Sequence, residues 1–185
     1  AHNGIWYRFR ALLDQGSQAS FVTEHAAQIL NLPRRNTDTM FESVGNHQIH
    51  KPNGIMDIEL MSARRNPAMQ PTFPVDVFIL PNITNLLPSN RIEMQNWAHF
   101  ANLQLADPAF YEPSQVDMLL GGDIYPDIIM EGLIKTEVNK LIAQKTALGW
   151  VIMGHLRLPN EPMTVRSINL CKIECKHLQQ FWEFE

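Results

Sequence analysis

Asp14-Gln15-Gly16-Ser17 is the stretch whose residue types could do chemistry: a carboxylate, a glycine and a hydroxyl at the end of the apolar run Ala11-Leu12-Leu13. The run reads as a short buried strand, and Asp-x-Gly-Ser as the tight turn that ends it. A carboxylate at the mouth of such a turn is held by backbone and faces a cleft, so its surroundings can set its protonation. By themselves the four residues are also those of an ordinary turn, because Asp bonds its own backbone and Gly supplies positive φ. A second apolar run into glycine, Val116-Asp117-Met118-Leu119-Leu120-Gly121-Gly122-Asp123, lies about a hundred residues downstream. Gly121 there would admit another backbone at a distance that a side chain would block.

The elements around these stretches follow from pattern. Ile5 to Leu13 reads as a strand, and Ala19-Ser20-Phe21-Val22 as a short extended return. Thr23 caps a helix over Glu24 to Leu30, with an acid in its first turn and Asn31 and Pro33 to stop it. Thr39 to Val44 is extended. Gly45-Asn46 and Pro52-Asn53-Gly54 are turns, and Ile55 to Leu60 alternates like a half-solvated strand. A hairpin with a polar tip at Gly45 and Asn46 could close over a cleft. Ser62 to Pro71 is a polar loop and Phe73 to Leu80 a strand. Pro88-Ser89 opens an expected helix to about Phe100, in which Trp97 is a packing anchor. Ile128-Ile129-Met130 and Leu133-Ile134 flank Glu131-Gly132 as a hairpin, and Lys145 to Gly154 is one strand. Leu170 to Phe184 has helical spacing and reads as an amphipathic extension after a linker at Asn160-Glu161-Pro162. The fold expected from these signals is mostly β with one or two short helices.

Length and charge bound the rest. A chain of 185 residues, 45% hydrophobic and of net charge -4, fits one globular domain with a short appendage. No basic cluster marks a nucleic-acid or anionic-lipid footprint, and no apolar run reaches the ~20 residues that span a bilayer. The opening Ala1-His2-Asn3-Gly4 has no basic or apolar leader, so no signal peptide is expected, and a piece of something longer is. Cys171 and Cys175 are no disulfide framework, which points to a reducing, cytoplasmic setting. With His177 and His155 they could make a zinc site, but two thiols on one helical face is the simpler reading. His47 and His50 are the other metal candidates and read as polar hairpin residues. No metal or other cofactor is expected.

Several blocks occur in a telling order: Ala11 to Phe21, Leu80-Pro81, Leu87-Pro88, Leu105-Ala106-Asp107-Pro108, Val116 to Asp123, and Ala143 to Val151. Together they resemble the aspartic peptidase domain of BEL/Pao retrotransposon polyproteins, a divergent retropepsin-like group. The resemblance spans roughly 5–155. It implies a domain over 1–155 with a closed antiparallel β-barrel, and a linker and helix over 156–185 leading toward a reverse transcriptase region. It implies a homodimer in which each copy supplies Asp14 as catalytic residue from the Asp14-Gln15-Gly16-Ser17 loop. Leu119-Leu120-Gly121 would pack behind that loop, and the hairpin at Gly45 and Asn46 would be the flap. The partners implied are a second copy through the Asp14 turn and a polypeptide substrate, the chain's own polyprotein, with no membrane and no direct nucleic-acid contact.

The chemistry explains why two acids would be needed. Like carboxylates at hydrogen-bond distance cannot both ionise, so the pair shares one proton. The ionised member activates water while the protonated one donates to the scissile carbonyl. Only one Asp-x-Gly-Ser turn exists here, since the acid of Gly121-Gly122-Asp123 follows its glycines, so the second carboxylate must come from a twofold mate. Gly16 would let the two loops meet, and the Ser17 hydroxyl would bond the outer oxygen of Asp14. Gln15 stands where these peptidases usually carry Ser or Thr, whose hydroxyl links the loops across the axis. A Gln amide can donate and accept, but it is longer and costs more rotamer entropy to hold. Retropepsin-like chains also usually begin with a further strand, whose lack here would leave a sheet edge bare. Both departures favour the alternative reading, a catalytically silent remnant kept as an interaction or spacer module.

Overall fold

The computed structural model describes residues 5–42, 49–63, 70–92, 100–136, 141–154 and 169–177. The two chemistry-bearing stretches belong to strands of one barrel. The elements are β1 (Tyr7–Leu13), β2 (Ser20–Thr23), α1 (Glu24–Leu30), β3 (Phe41–Glu42), β4 (Ile49–His50), β5 (Ile55–Ser62), β6 (Phe73–Leu80), β7 (Met118–Leu120), α2 (Tyr125–Ile128), β8 (Ile129–Lys135), β9 (Leu141–Thr146), β10 (Gly149–Gly154) and β11 (Leu170–His177). Six strands close a barrel in the order β1-β11-β5-β6-β2-β7.

Alternation builds it. Phe9, Ala11 and Leu13 of β1, Met56, Ile58 and Leu60 of β5, and Val75, Val77 and Ile79 of β6 all point into one core. Every second residue of a strand shares a face, so these triplets fill the barrel while their neighbours face out. A second core forms outside the barrel, where Ile92, Phe100, Phe110 and Val116 meet Leu141, Ala143 and Ile152, with Leu12 packed against it. The sheet β10-β9-β8 supplies one side of that core. The barrel is not wholly antiparallel: β1 pairs with β7, and β2 with β6, in parallel. A parallel neighbour needs a long crossover: β1 reaches β7 only after β2 to β6 and the 37 residues 81–117, and β2 reaches β6 through α1 and β3 to β5.

Some expected elements appear as read. α1 runs over Glu24–Leu30, Thr23 Oγ1 accepts from the Ala26 N–H, and Asn31 ends the helix in the left-handed region at φ 49°. β6 has its expected bounds. Other expectations are corrected. Leu170–His177 is a strand, not a helix, and it lies between β1 and β5 in the barrel. The barrel therefore does not end at residue 155, and β1 has a partner on both edges rather than a bare one. Cys171 and Cys175 do share a face, but it is the inward face of a strand. Both are fully buried and unbonded to each other, and burial pushes both thiols well above the usual range.

Lys145 to Gly154 is two strands, split by a tight turn at Ala147-Leu148 in which Thr146 Oγ1 accepts from the Leu148 N–H (3.1 Å). Glu131-Gly132 is no hairpin but a bulge inside β8, with Gly132 at φ 139°. Residues 88–92 are not helical: Leu87 bridges Ser114, and the Ile92 N–H donates to the Tyr111 carbonyl (2.9 Å). Trp97, the linker at 160–162 and the tail from 178 lie outside the described residues.

Candidate active site

β7 passes between β1 and β2 and pairs with both: Leu13 lies beside Leu120, and Phe21 beside Leu119. The Asp14-Gln15-Gly16-Ser17 turn, which joins the β1 and β2 segments, therefore arches over the end of β7. Backbone bonds fix it there. The Asp14 N–H donates to the Leu120 carbonyl (2.9 Å), the Ser17 N–H to the Asp14 carbonyl (3.1 Å), and the Gly122 N–H to the Ser17 carbonyl (2.8 Å). Gly121 sits under this arch. A Cβ there would lie 2.4 Å from the Ala19 oxygen and 2.9 Å from that of Ser17, so the close approach read from the sequence is present. Leu119, Leu120 and Gly121 thus do pack behind the loop.

Asp14 is half-buried, and its Oδ1 accepts the Gly16 N–H at 3.0 Å. That bond fixes the plane of the carboxyl group and leaves Oδ2 free of hydrogen bonds among the described residues. Such a group can take a proton from water or give one to an acceptor. One chain presents one such carboxylate. The Ser17 hydroxyl, expected on Asp14, donates instead to the Ala19 carbonyl (2.8 Å) and so braces the loop itself. The exposed Gln15 lies beside the Tyr125 phenol of α2, whose titration burial raises and Gln15 partly lowers again.

Three residues that the sequence reading gave no role complete the support. Ser20 accepts the Gly121 N–H (3.0 Å) and donates its hydroxyl to Asp123 Oδ1 (2.7 Å), while the Ser20 N–H meets Asp123 Oδ2 (3.0 Å). Asp123 is therefore a clamp between the two arms of the site rather than a second reacting acid. Arg10, buried in β1, pairs with the buried Asp107 (Nε to Oδ2, 2.7 Å) and donates to the carbonyls of Leu87, Ala109 and Glu112. It ties the long crossover to the strand that ends in Asp14. Arg10 directly ahead of the apolar run Ala11-Leu12-Leu13 is the available signal, since an arginine on such a strand must find several acceptors or stay in water.

Asp117 takes the Arg10 N–H at 3.1 Å, and burial raises its carboxyl above the ordinary range. Behind the site, Phe41 of β3 stacks edge-on against Phe21 and Phe78, each at 4.7 Å, and this holds the root of the β3–β4 pair on the barrel. The expected flap residues Gly45 and Asn46, and His47, lie outside the described residues. His50 is exposed. Among the described residues no group of three His, Cys, Asp or Glu could hold a metal ion, and no helix is long and apolar enough to cross a membrane. Comparison with protein-family models, curated proteins and solved structures finds no match.

Proposed function

We propose that the chain is an aspartic endopeptidase of the retropepsin-like kind that works as a homodimer and cleaves the polyprotein to which it belongs in a reducing, cytoplasmic setting. The observation that supports this best is the seating of Asp14. A half-buried carboxylate, oriented by the Gly16 N–H, ends a strand whose next N–H is spent on Leu120. Two copies meeting about a twofold axis at this turn would set two such groups side by side. The pair would hold one proton between them. A water placed between the two would lose a proton to the ionised member as it attacks the scissile carbonyl. The protonated member would supply the proton that the carbonyl oxygen takes up, and a later transfer would protonate the leaving amine.

A second reading, a silent remnant kept as an interaction module, is favoured by Gln15. Its side chain lies beside Tyr125 of its own chain, and a Gln amide is longer than a Ser or Thr hydroxyl and costs more rotamer entropy to hold across an axis. One experiment separates the two. The longer polyprotein is incubated at mildly acidic pH beside its Asp14→Asn variant, with and without a pepstatin-type inhibitor. The peptidase reading expects processing by the unmutated chain alone, slowed by the inhibitor. Equal processing by both chains refutes it, and processing by neither supports the remnant.

A further inference from the structure

β8 forms the outer edge of the sheet β10-β9-β8, and among the described residues no strand covers its far side. Such an edge is a template for another strand unless charge, proline, a bulge or a covering loop blocks it, and here the bulge at Glu131-Gly132 and the charges of Glu131 and Lys135 admit only a partner that matches them. Here the backbone is turned to receive one. The Gln144 amide on β9 donates to the carbonyls of Met130 (2.9 Å) and Gly132 (3.0 Å), and the Thr136 N–H donates to Leu141 on the same side. In a trans peptide the N–H points opposite the preceding carbonyl, so the N–H groups of 131 and 133 point away from β9. The Thr136 bond likewise turns the Lys135 carbonyl outward. Glu131, Leu133 and Lys135 therefore carry the free edge, and all three side chains are exposed, Leu133 by 49%. Neither Glu131 nor Lys135 has an ion pair among the described residues.

The spacing of these three residues has a twofold consequence. In an antiparallel pairing of the strand with itself centred on Leu133, each Glu131 falls opposite a Lys135, and the two Leu133 side chains meet on the axis. All three are outward-turned positions, which is what directly opposed, hydrogen-bonded pairs require. Opposite charges facing each other across strands are favourable and like charges are not. No other centre on this strand places both charges against their opposites.

We propose that the free edge of β8 is an interaction surface for a second copy of this chain, paired antiparallel about Leu133 with Glu131 of each copy facing Lys135 of the other. The pairing concerns association and not cleavage, so it stands whether or not Asp14 is catalytic.

Charge reversal tests it. Sedimentation equilibrium of the whole chain is expected to show a concentration-dependent dimer. Glu131→Lys alone, and Lys135→Glu alone, each put like charges opposite one another twice and should weaken it on the order of tenfold or more. The double variant restores both pairs in reversed sense and should recover the affinity. Leu133→Lys, which sets two cations on the axis, should abolish association through this edge, so that any dimer left pairs through the Asp14 turn, while circular dichroism shows the fold intact. A strict monomer, a double variant as weak as the singles, or a monomer that takes up an unrelated extended peptide at this edge would each overturn the proposal.

Discussion

Gly121→Ala tests how tightly the Asp14 turn is built. The added methyl would sit 2.4 Å from the Ala19 oxygen and 2.7 Å from its carbonyl carbon, both backbone atoms with no rotamer to escape into. Reaching even 3.0 Å demands a shift of about 0.6 Å between β7 and the loop. That shift strains the bonds that join them, Asp14 N–H to Leu120 at 2.9 Å and Gly122 N–H to Ser17 at 2.8 Å. A net hydrogen bond is worth about 1 kcal/mol, and overpacking in a closed core costs about 1–3 kcal/mol. The expected loss is therefore about 3 kcal/mol, or roughly 6–12 °C in Tm for a chain of this size. Gly122→Ala is the control. Its Cβ would lie 3.3 Å from the Ser17 oxygen at an exposed position, and it should cost no more than about 1 kcal/mol. Urea and thermal unfolding followed by circular dichroism measure both. If Gly121→Ala lies within about 0.5 kcal/mol of the parent, or no further from it than Gly122→Ala, the loop is not seated on β7 as described.

Two further expectations concern charge. Arg10→Met leaves Asp107 buried with only the Lys172 ammonium (3.4 Å) and the Ala109 N–H, and should cost about 3 kcal/mol or more. Arg10→Met with Asp107→Leu should lose less than the single change, and a single-variant loss under about 1 kcal/mol in urea unfolding would contradict a buried ion pair. Glu24, at the start of α1, takes hydrogen bonds from Arg34, Asn53 and Gln28. With Arg34 the largest cause, its carboxyl is held down at about 2, against an ordinary 4.5. Because the folded value is the lower one, its stabilisation is present above pH 4.5 and fades as the pH falls toward 2. The stability difference between the parent and Glu24→Gln should shrink over that window, and a difference that stays constant across it would place the effect elsewhere.

Local chemistry made part of this protein readable. Thr23 ahead of an amphipathic heptamer gives α1, because the cap and the orphan N–H lie three residues apart. Asp14-Gln15-Gly16-Ser17 gives the turn, and the glycine after Leu119-Leu120 gives the close approach. Each depends on atoms separated by a few residues, or on a side chain being absent. The two arms of the site were legible separately, and their ordered recurrence linked them.

What only the tertiary structure decided is where distant segments pair. Cys171 and Cys175 are four apart, a spacing that serves one face of a helix as well as one face of a strand. The edge of β1 settles it, because β11 satisfies that edge and fills the barrel with the same two thiols. The bulge at Gly132 needs the Gln144 amide to catch two carbonyls, and Asp123 becomes a clamp only because Ser20 is brought within 2.7 Å. By itself the sequence determined the turn, its capped helix and the alternation of the strands, since those follow from neighbours along the chain. Which strand closes the barrel, and which acid braces rather than faces outward, was decided in three dimensions, where hydrogen-bond partners come from residues up to 166 positions apart.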